Sequence, residues 1–277
     1  MLEPVSDLSH QTHAVRSGVW PSAGPSAQHY DRIARDPRYS HFVRIPGRIV
    51  RCLDYFKVTC DRLAAARILS AYYIFIAVVD NAIDSGDSQT AATVFAQMAK
   101  LIPANLSELS DVALITEHLK RQLDDQVGLP FRNQLALLYE TVCREQAAVS
   151  IETYLEARKA VGRLTADLSY LAISPLLDCD HKPLRAFMQE VGAVGCLVDS
   201  VIDLASDQRR GLVSFAPSLR DYAQLALVAL FEGLSIGLRH PRLAGLFTLA
   251  ILDDVRDRFA ASPELSDNGQ ITPAVSR

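Results

Sequence analysis

Asp199, Asp203 and Asp207 recur at every fourth position of the stretch VDSVIDLASDQRRG. A step of four residues turns only about 40° around an α-helix, so the three carboxylates project from one side of one helix. Like charges at that spacing repel each other, and a cation among them relieves the repulsion. Asp80 and Asp84, in YYIFIAVVDNAID, share the spacing and also end an apolar run. Two such faces opposed across a cavity make a nest of oxygen ligands suited to Mg²⁺, which takes carboxylate, water and phosphate oxygens. The chemistry they suit is that of a diphosphate.

The residues around each acidic stretch extend this pattern. Ile76, Tyr73 and Tyr72 lie four, seven and eight residues before Asp80, close to its face and one or two turns deeper. They are expected to line an apolar pocket with carboxylates at its rim, fit for a hydrocarbon carrying a charged head. Aromatic faces in such a pocket stabilise a cation by up to about 2 kcal/mol when desolvated. The plainer alternative is a buried helix that happens to end in acidic residues. Gly195 and Gly192 lie four and seven residues before Asp199. Each costs about 1 kcal/mol inside a helix, which implies close packing or room for a ligand. After Asp207 come Arg209 and Arg210, then Gly211, a natural helix C-cap. The two arginines either complement the helix dipole or grip phosphate oxygens. In SIETYLEARKAVGRL, Tyr154, Arg158 and Gly162 are also four apart on one helical face. Spacing alone leaves two roles open there: an inward arginine beside a glycine that loosens the backbone, or a surface arginine with a packing glycine.

The elements that position these residues are helical. Leu, Ala, Arg, Glu and Gln are abundant from about residue 48 onward, and apolar residues recur at three- and four-residue steps. Breaks near Ser85–Asp87, Ile102–Pro103, Gly128–Pro130, Cys179–Pro183, Gly211–Pro217 and His240–Pro241 divide the chain into roughly eight helices. The expected architecture is a single all-α bundle around a central cavity. Residues 1–38 are polar, carry several Pro and Gly, and are expected to form a mobile leader that Trp20 pins to the body. The catalytic body then spans 39–262, and the polar stretch 263–277 is expected to be disordered. With 277 residues, 49% of them hydrophobic, the chain can bury a large core. A net charge of −4 and the lack of a basic stripe argue against nucleic acid. Five scattered cysteines without a C-x-x-C pair suggest reduced thiols and a cytoplasmic protein. No uncharged run reaches the ~18 residues of a membrane span. A homodimer stays open.

On these residues the chain resembles the class I isoprenoid synthases, an all-α superfamily of terpene cyclases, squalene and phytoene synthases and chain-elongating prenyltransferases. DNAID at 80–84 is similar to the first aspartate motif in its D-x-x-x-D form. Asp199, Asp203 and Asp207 fall at the positions of the three metal ligands in the second motif of terpene cyclases. With DQRRG, the same stretch also resembles the run N-x-x-x-D-x-x-x-D-x-R-R-G of phytoene and squalene synthases. YLEARKAVG resembles the Tyr-Leu-x-x-Arg-x-x-x-Gly segment of bacterial terpene cyclases, in which the arginine senses diphosphate and the glycine lies at a helix break. The resemblance spans roughly residues 62–215, with the two acidic motifs about 120 residues apart.

It implies an enzyme that binds several Mg²⁺ ions through Asp80, Asp84, Asp199, Asp203 and Asp207. In that picture Tyr154, Arg158, Gly162, Arg209 and Arg210 surround the diphosphate, and Tyr73 meets the hydrocarbon. The activity implied is ionisation of an allylic prenyl diphosphate with cyclisation or rearrangement of the carbocation, a carbon–oxygen lyase reaction. Head-to-head condensation of the squalene or phytoene type, or another prenyl transfer, is the alternative. The adjacent Asp pair of D-D-x-x-D is missing from the first motif, and the Tyr-rich segment and Q-L-T-N of head-to-head synthases are not found. DDVRD at 253–257 formally satisfies D-D-x-x-D, but it follows the second motif and has Arg256 and Arg258 at hand as neutralising partners. A di-iron carboxylate bundle needs Glu-x-x-His, which does not occur in the chain. A scaffold with solvated acidic ridges fits poorly with the apolar residues flanking each aspartate.

Overall fold

The computed structural model of the chain describes residues 25–36, 39–85, 111–123 and 128–260. Trp20, the Ile102–Pro103 break and the tail at 263–277 lie outside these residues, as do the side chains of Asp84, Asp253, Asp254 and Asp257. The described elements are all helical. In chain order they are α1 (Pro25–Ala34), α2 (Ser40–Tyr55), α3 (Arg62–Asp84), α4 (Asp111–Gln122), α5 (Gly128–Gln146), α6 (Ile151–Ile173), α7 (Lys182–Arg210), α8 (Leu219–Arg239) and α9 (Pro241–Ala260). One 3-10 turn, Ser174–Leu176, follows α6.

Local chemistry sets several of the boundaries. Asp61 caps α3 by accepting from the N–H groups of Leu63 and Ala64 at 2.9 and 3.0 Å. Ser150 and Thr153 cap each other at the start of α6, and Ser218 and Asp221 do so at the start of α8. Gly211 ends α7 with φ 75°. Its N–H bonds to the Gln208 carbonyl at 3.1 Å, and the Leu212 N–H reaches the Asp207 carbonyl at 2.9 Å, a Schellman pair that needs the left-handed residue predicted there. Two breaks carry no Pro or Gly and were not anticipated. Lys57, at φ 55°, turns the chain between α2 and α3, and residues 147–150 turn it between α5 and α6. Pro130 and Pro183 fall in the first turns of α5 and α7, where a missing N–H costs little.

The boundary placed at residue 39 moves toward the N-terminus. Pro25–Ala34 is helical, and Tyr30 and Ile33 are each 4% exposed within the main core. Burial of an aromatic and a branched side chain outweighs the polar composition around them.

α3 lies at the centre, packed against α2, α4 and α6, and its Leu69, Tyr72 and Phe75 are fully buried. α6 and α7 form the most extensive seam, with α5 on one side of α6 and α8 against α7. A second, smaller core of Ile151, Tyr154, Leu155, Leu197, Leu204 and Leu225 joins the start of α6 to the second half of α7 and to α8. By length and composition α3 and α8 are both apolar enough to cross a bilayer. The core takes up most of α3, whereas α8 leaves Leu227, Leu230, Phe231, Leu234 and Leu238 exposed.

Candidate active site on the α6–α7 seam

α6 and α7 run antiparallel, and they meet at four-residue steps on both helices. Tyr154 donates from its hydroxyl to Ser200 Oγ at 2.9 Å. Arg158 donates from Nε to the Cys196 carbonyl at 3.2 Å. Gly162 meets Gly192 so closely that a Cβ on either would stand 2.2–2.3 Å from the carbonyl oxygen of the other. The face read from Tyr154, Arg158 and Gly162 is therefore real, and it is turned toward the helix that carries the three aspartates. α6 continues unbroken through Gly162 from Ile151 to Ile173. The helix break implied by the resemblance is absent because this glycine serves helix contact.

Arg158 is not a surface arginine. Its side chain is 19% exposed, with Nη1 donating to Glu145 Oε1 at 3.1 Å and Nη2 to Asp199 Oδ2 at 2.8 Å. Burial opposes its charge, but Glu145, Cys196, Asp199 and Tyr154 together hold the guanidinium protonated well above its ordinary range. Tyr154 is 1% exposed, and burial pushes its hydroxyl up to about 12, with Arg158 opposing and Glu145 and Asp207 adding to the shift. Ser200 Oγ also donates to the Cys196 carbonyl at 3.0 Å. Tyr154, Ser200 and Arg158 thus form one network around the Cys196 carbonyl.

The Cys196 thiol lies in the turn of α7 just before Asp199. Burial raises it to about 12; Arg158 opposes this, and Asp199, Glu145 and Asp80 each raise it further. Asp80, exposed in the last turn of α3, therefore lies within electrostatic reach of the turn of α7 that precedes Asp199. Asp199, Asp203 and Asp207 are half-buried along α7. A Cβ at Gly195, one turn before Asp199, would meet no atom within 4 Å. Of the two glycines before the ridge, Gly192 is the packing residue and Gly195 faces open space. Carboxylate oxygens on a half-exposed ridge, beside an open stretch of helix, fit a hard cation such as Mg²⁺.

The remaining candidates divide between core and surface. Tyr73 is 6% exposed and its hydroxyl accepts from Ser169 Oγ at 2.9 Å. Burial raises its pKa to about 12, the Ser169 bond opposes the shift and Cys196 adds to it. Tyr73 thus sits inside the α3–α6 contact, below Asp80 and near Cys196. Arg209 and Arg210 are exposed at the C-terminal end of α7. Asp84 is the last residue of α3, one turn beyond Asp80, and its side chain lies outside the described residues.

Glu145, Cys196 and Ser200 lie outside the four-residue spacings that mark the other candidates. A signal for Glu145 exists: Phe131, Leu135 and Leu138 form the buried stripe of α5, and Glu145 continues it at position i+14. A carboxylate on an apolar stripe is the same signature that identified Asp80. Cys196 and Ser200 carry no such mark, since their importance comes from a carbonyl and a thiol brought beside another helix. The chain matches no protein-family model, no curated protein and no solved structure.

Proposed function

We propose that this protein is a Mg²⁺-dependent isoprenoid synthase of class I that ionises an allylic prenyl diphosphate and cyclises or rearranges the carbocation. What carries the proposal is Arg158, bonded to both Glu145 and Asp199 at the head of the aspartate ridge, with Asp80 within electrostatic reach of the adjacent Cys196 thiol. Asp80, Asp199, Asp203 and Asp207 would hold the metal ions, with Asp84 extending the first motif. Bound Mg²⁺ supplies Lewis-acid neutralisation of the leaving diphosphate.

The chain's own residues prepare that step. Glu145 and Asp199 fix the guanidinium of Arg158 in place, so that it can bond diphosphate oxygens with little reordering. Tyr154 and Ser200 hold the Cys196 carbonyl, and with it the register of Arg158 against α7. The Gly162–Gly192 contact sets the distance between the two helices. Arg209 and Arg210 offer further cations at the end of the ridge. The open stretch at Gly195 leaves room beside the carboxylates, and the aromatic side chains of α3 lie beneath Asp80.

The test is incubation of the purified protein with geranyl, farnesyl and geranylgeranyl diphosphates and Mg²⁺. Inorganic diphosphate and a hydrocarbon or terpene alcohol are expected from at least one substrate, and neither when Mg²⁺ is replaced by EDTA. Absence of diphosphate release from all three substrates, from a protein whose helical content is intact, overturns the proposal.

A further inference from the structure

A second group of ligating side chains lies at the other end of α7, far along the helix from the aspartate ridge. The loop Asp178-Cys179-Asp180-His181 joins the 3-10 turn to α7, with His181 as the residue preceding the helix. His181 Nε2 lies 2.8 Å from Asp178 Oδ1 and 3.3 Å from Cys179 Sγ. The three donor atoms all fall within 4.8 Å of one another.

The arrangement is not a relay. In a Cys-His-Asp catalytic triad the carboxylate and the thiol use opposite ring nitrogens, whereas both contacts here fall on Nε2. One ring nitrogen is either a donor or an acceptor. If it donates to Asp178, the thiol can only share that N–H as a weak acceptor; if it accepts from the thiol, it faces the carboxylate with a lone pair. A cation at the common point satisfies carboxylate, imidazole and thiolate together.

The loop is also held in shape by bonds that do not use the three donors. The His181 N–H donates to the Tyr170 hydroxyl at 2.8 Å, and that hydroxyl donates to Asp180 Oδ1 at 2.9 Å. The Asp178 N–H donates to the Thr59 carbonyl at 3.3 Å. Tyr170 itself lies under Arg185, whose guanidinium carbon is 5.5 Å from the ring centroid. Asp180 is thereby occupied, and the three side chains around it are left to face one another.

We propose that Asp178, Cys179 and His181 form a metal site for a borderline-soft divalent cation of the Zn²⁺ class, with solvent in the fourth position. A thiolate and an imidazole select such an ion over Mg²⁺, which takes oxygen ligands. Ligand separations of 2.8 and 3.3 Å need only a small outward adjustment to admit bonds of about 2.0–2.3 Å. The site is separate in place and in metal preference from the proposed active site, so it stands or falls independently of the isoprenoid assignment.

The experiment titrates the reduced full-length protein with Co²⁺, which reports a thiolate ligand by a charge-transfer band and tetrahedral geometry by intense visible absorption. One equivalent is expected to bind, Zn²⁺ to displace it, and an excess of Mg²⁺ to leave the spectrum unchanged. Cys179→Ser is expected to remove the charge-transfer band. His181→Ala is expected to weaken Zn²⁺ binding by at least ~10-fold, the loss seen even for a supporting group. Asp178→Asn, at an exposed position, serves as the milder variant with a smaller loss. Cys143→Ser alters the other exposed cysteine and is expected to change nothing. Absence of the charge-transfer band in the parent protein, its persistence in Cys179→Ser, or its loss in Cys143→Ser overturns the proposal.

Discussion

Two arginine–carboxylate clusters tie α6 to α7, and they are built in opposite senses. At the end of α6, Asp167 is 2% exposed and receives four bonds: Arg185 Nε at 2.5 Å, Arg185 Nη2 at 2.8 Å, Gln134 Nε2 at 2.9 Å and Gln189 Nε2 at 2.6 Å. One carboxylate of α6 there is surrounded by donors from two other helices, α5 and α7. Near the start of α6 the arrangement is inverted: one guanidinium, Arg158, is surrounded by Glu145, Asp199 and the Cys196 carbonyl. The first cluster closes on its carboxylate, because both Asp167 oxygens are matched by protein donors. The second opens along α7 onto a ridge of further carboxylates that are only half-buried. Buried polar groups need partners wherever they occur, so satisfaction alone does not mark a site. The distinguishing feature is that one cluster closes on a buried carboxylate and the other leads to an accessible surface of a single ligand chemistry.

The sharpest way to break this comparison is to neutralise the open end. Asp80→Asn and Asp203→Asn are each expected to lower diphosphate release by at least ~10³-fold, about 4 kcal/mol in barrier, while the melting temperature changes little. Measured turnover near that of the parent protein at saturating Mg²⁺ removes the altered aspartate from the metal site.

Stability and turnover read together separate the two clusters next. Asp167→Ala strands the amides of Gln134 and Gln189 and a guanidinium, at a cost of about 3 kcal/mol, the low end for a broken buried pair because the Arg185 side chain is 38% exposed and can reach water. Arg158→Ala is expected to cost about 3 kcal/mol as well, since it strands Glu145 at 12% exposure while Asp199, at 36%, keeps access to solvent. It should abolish turnover as well, whereas Asp167→Ala should lower activity only in proportion to the folded fraction. Denaturant unfolding paired with single-turnover assays reads both quantities. Equal stability losses with equal residual turnover erase the distinction.

The glycines give a smaller contrast of opposite sign. Gly162→Ala places a methyl 2.2 Å from the Gly192 carbonyl oxygen. It should destabilise the protein by about 1–3 kcal/mol through overpacking, despite the better helix propensity of alanine. Gly195→Ala meets open space and should stabilise by up to about 1 kcal/mol. Thermal melts of the two variants should move in opposite directions.

The smallest expected effect is on alkaline stability. Burial holds the Cys196 thiol up to about 12 against an ordinary value of 9.0. A raised folded-state pKa favours folding below the unfolded value, and that contribution is lost as pH rises from 9 toward 12. Each pH unit in that window removes up to about 1.4 kcal/mol per thiol. Cys196→Ala should flatten the decline, while the buried thiol of Cys52, also raised to about 12, continues to contribute. An unchanged slope between pH 9 and 10 shows that Cys196 is already ionised or accessible.

Much of the helical framework was legible along the chain, since apolar periodicity, Gly211 and the proline breaks are local signals. The unanticipated turns at Lys57 and at residues 147–150 show the limit of that reading, because neither is marked by a proline or glycine. The helix at Pro25–Ala34 was hidden for a different reason: its polar stretch is held by Tyr30 and Ile33 against residues distant in sequence. The aspartate ridge and the face of Tyr154, Arg158 and Gly162 were visible because a four-residue repeat is a property of one helix.

What the sequence determined by itself was which residues share a helical face, since the 3.6-residue turn converts spacing directly into direction. It could not decide what each face meets. Gly162 and Gly192 are both conspicuous in the sequence, yet their mutual contact depends on the register of α6 against α7. Arg158 could equally have been a surface residue until Glu145 and Asp199 were brought to its two ends. The separation of Gly192 as packing from Gly195 as open space, and the gathering of Asp178, Cys179 and His181 around one ring nitrogen, were likewise settled by backbone placement. Periodicity is encoded within a segment, but the partner of a side chain is chosen by the packing of the whole core, in which register and separation are set collectively.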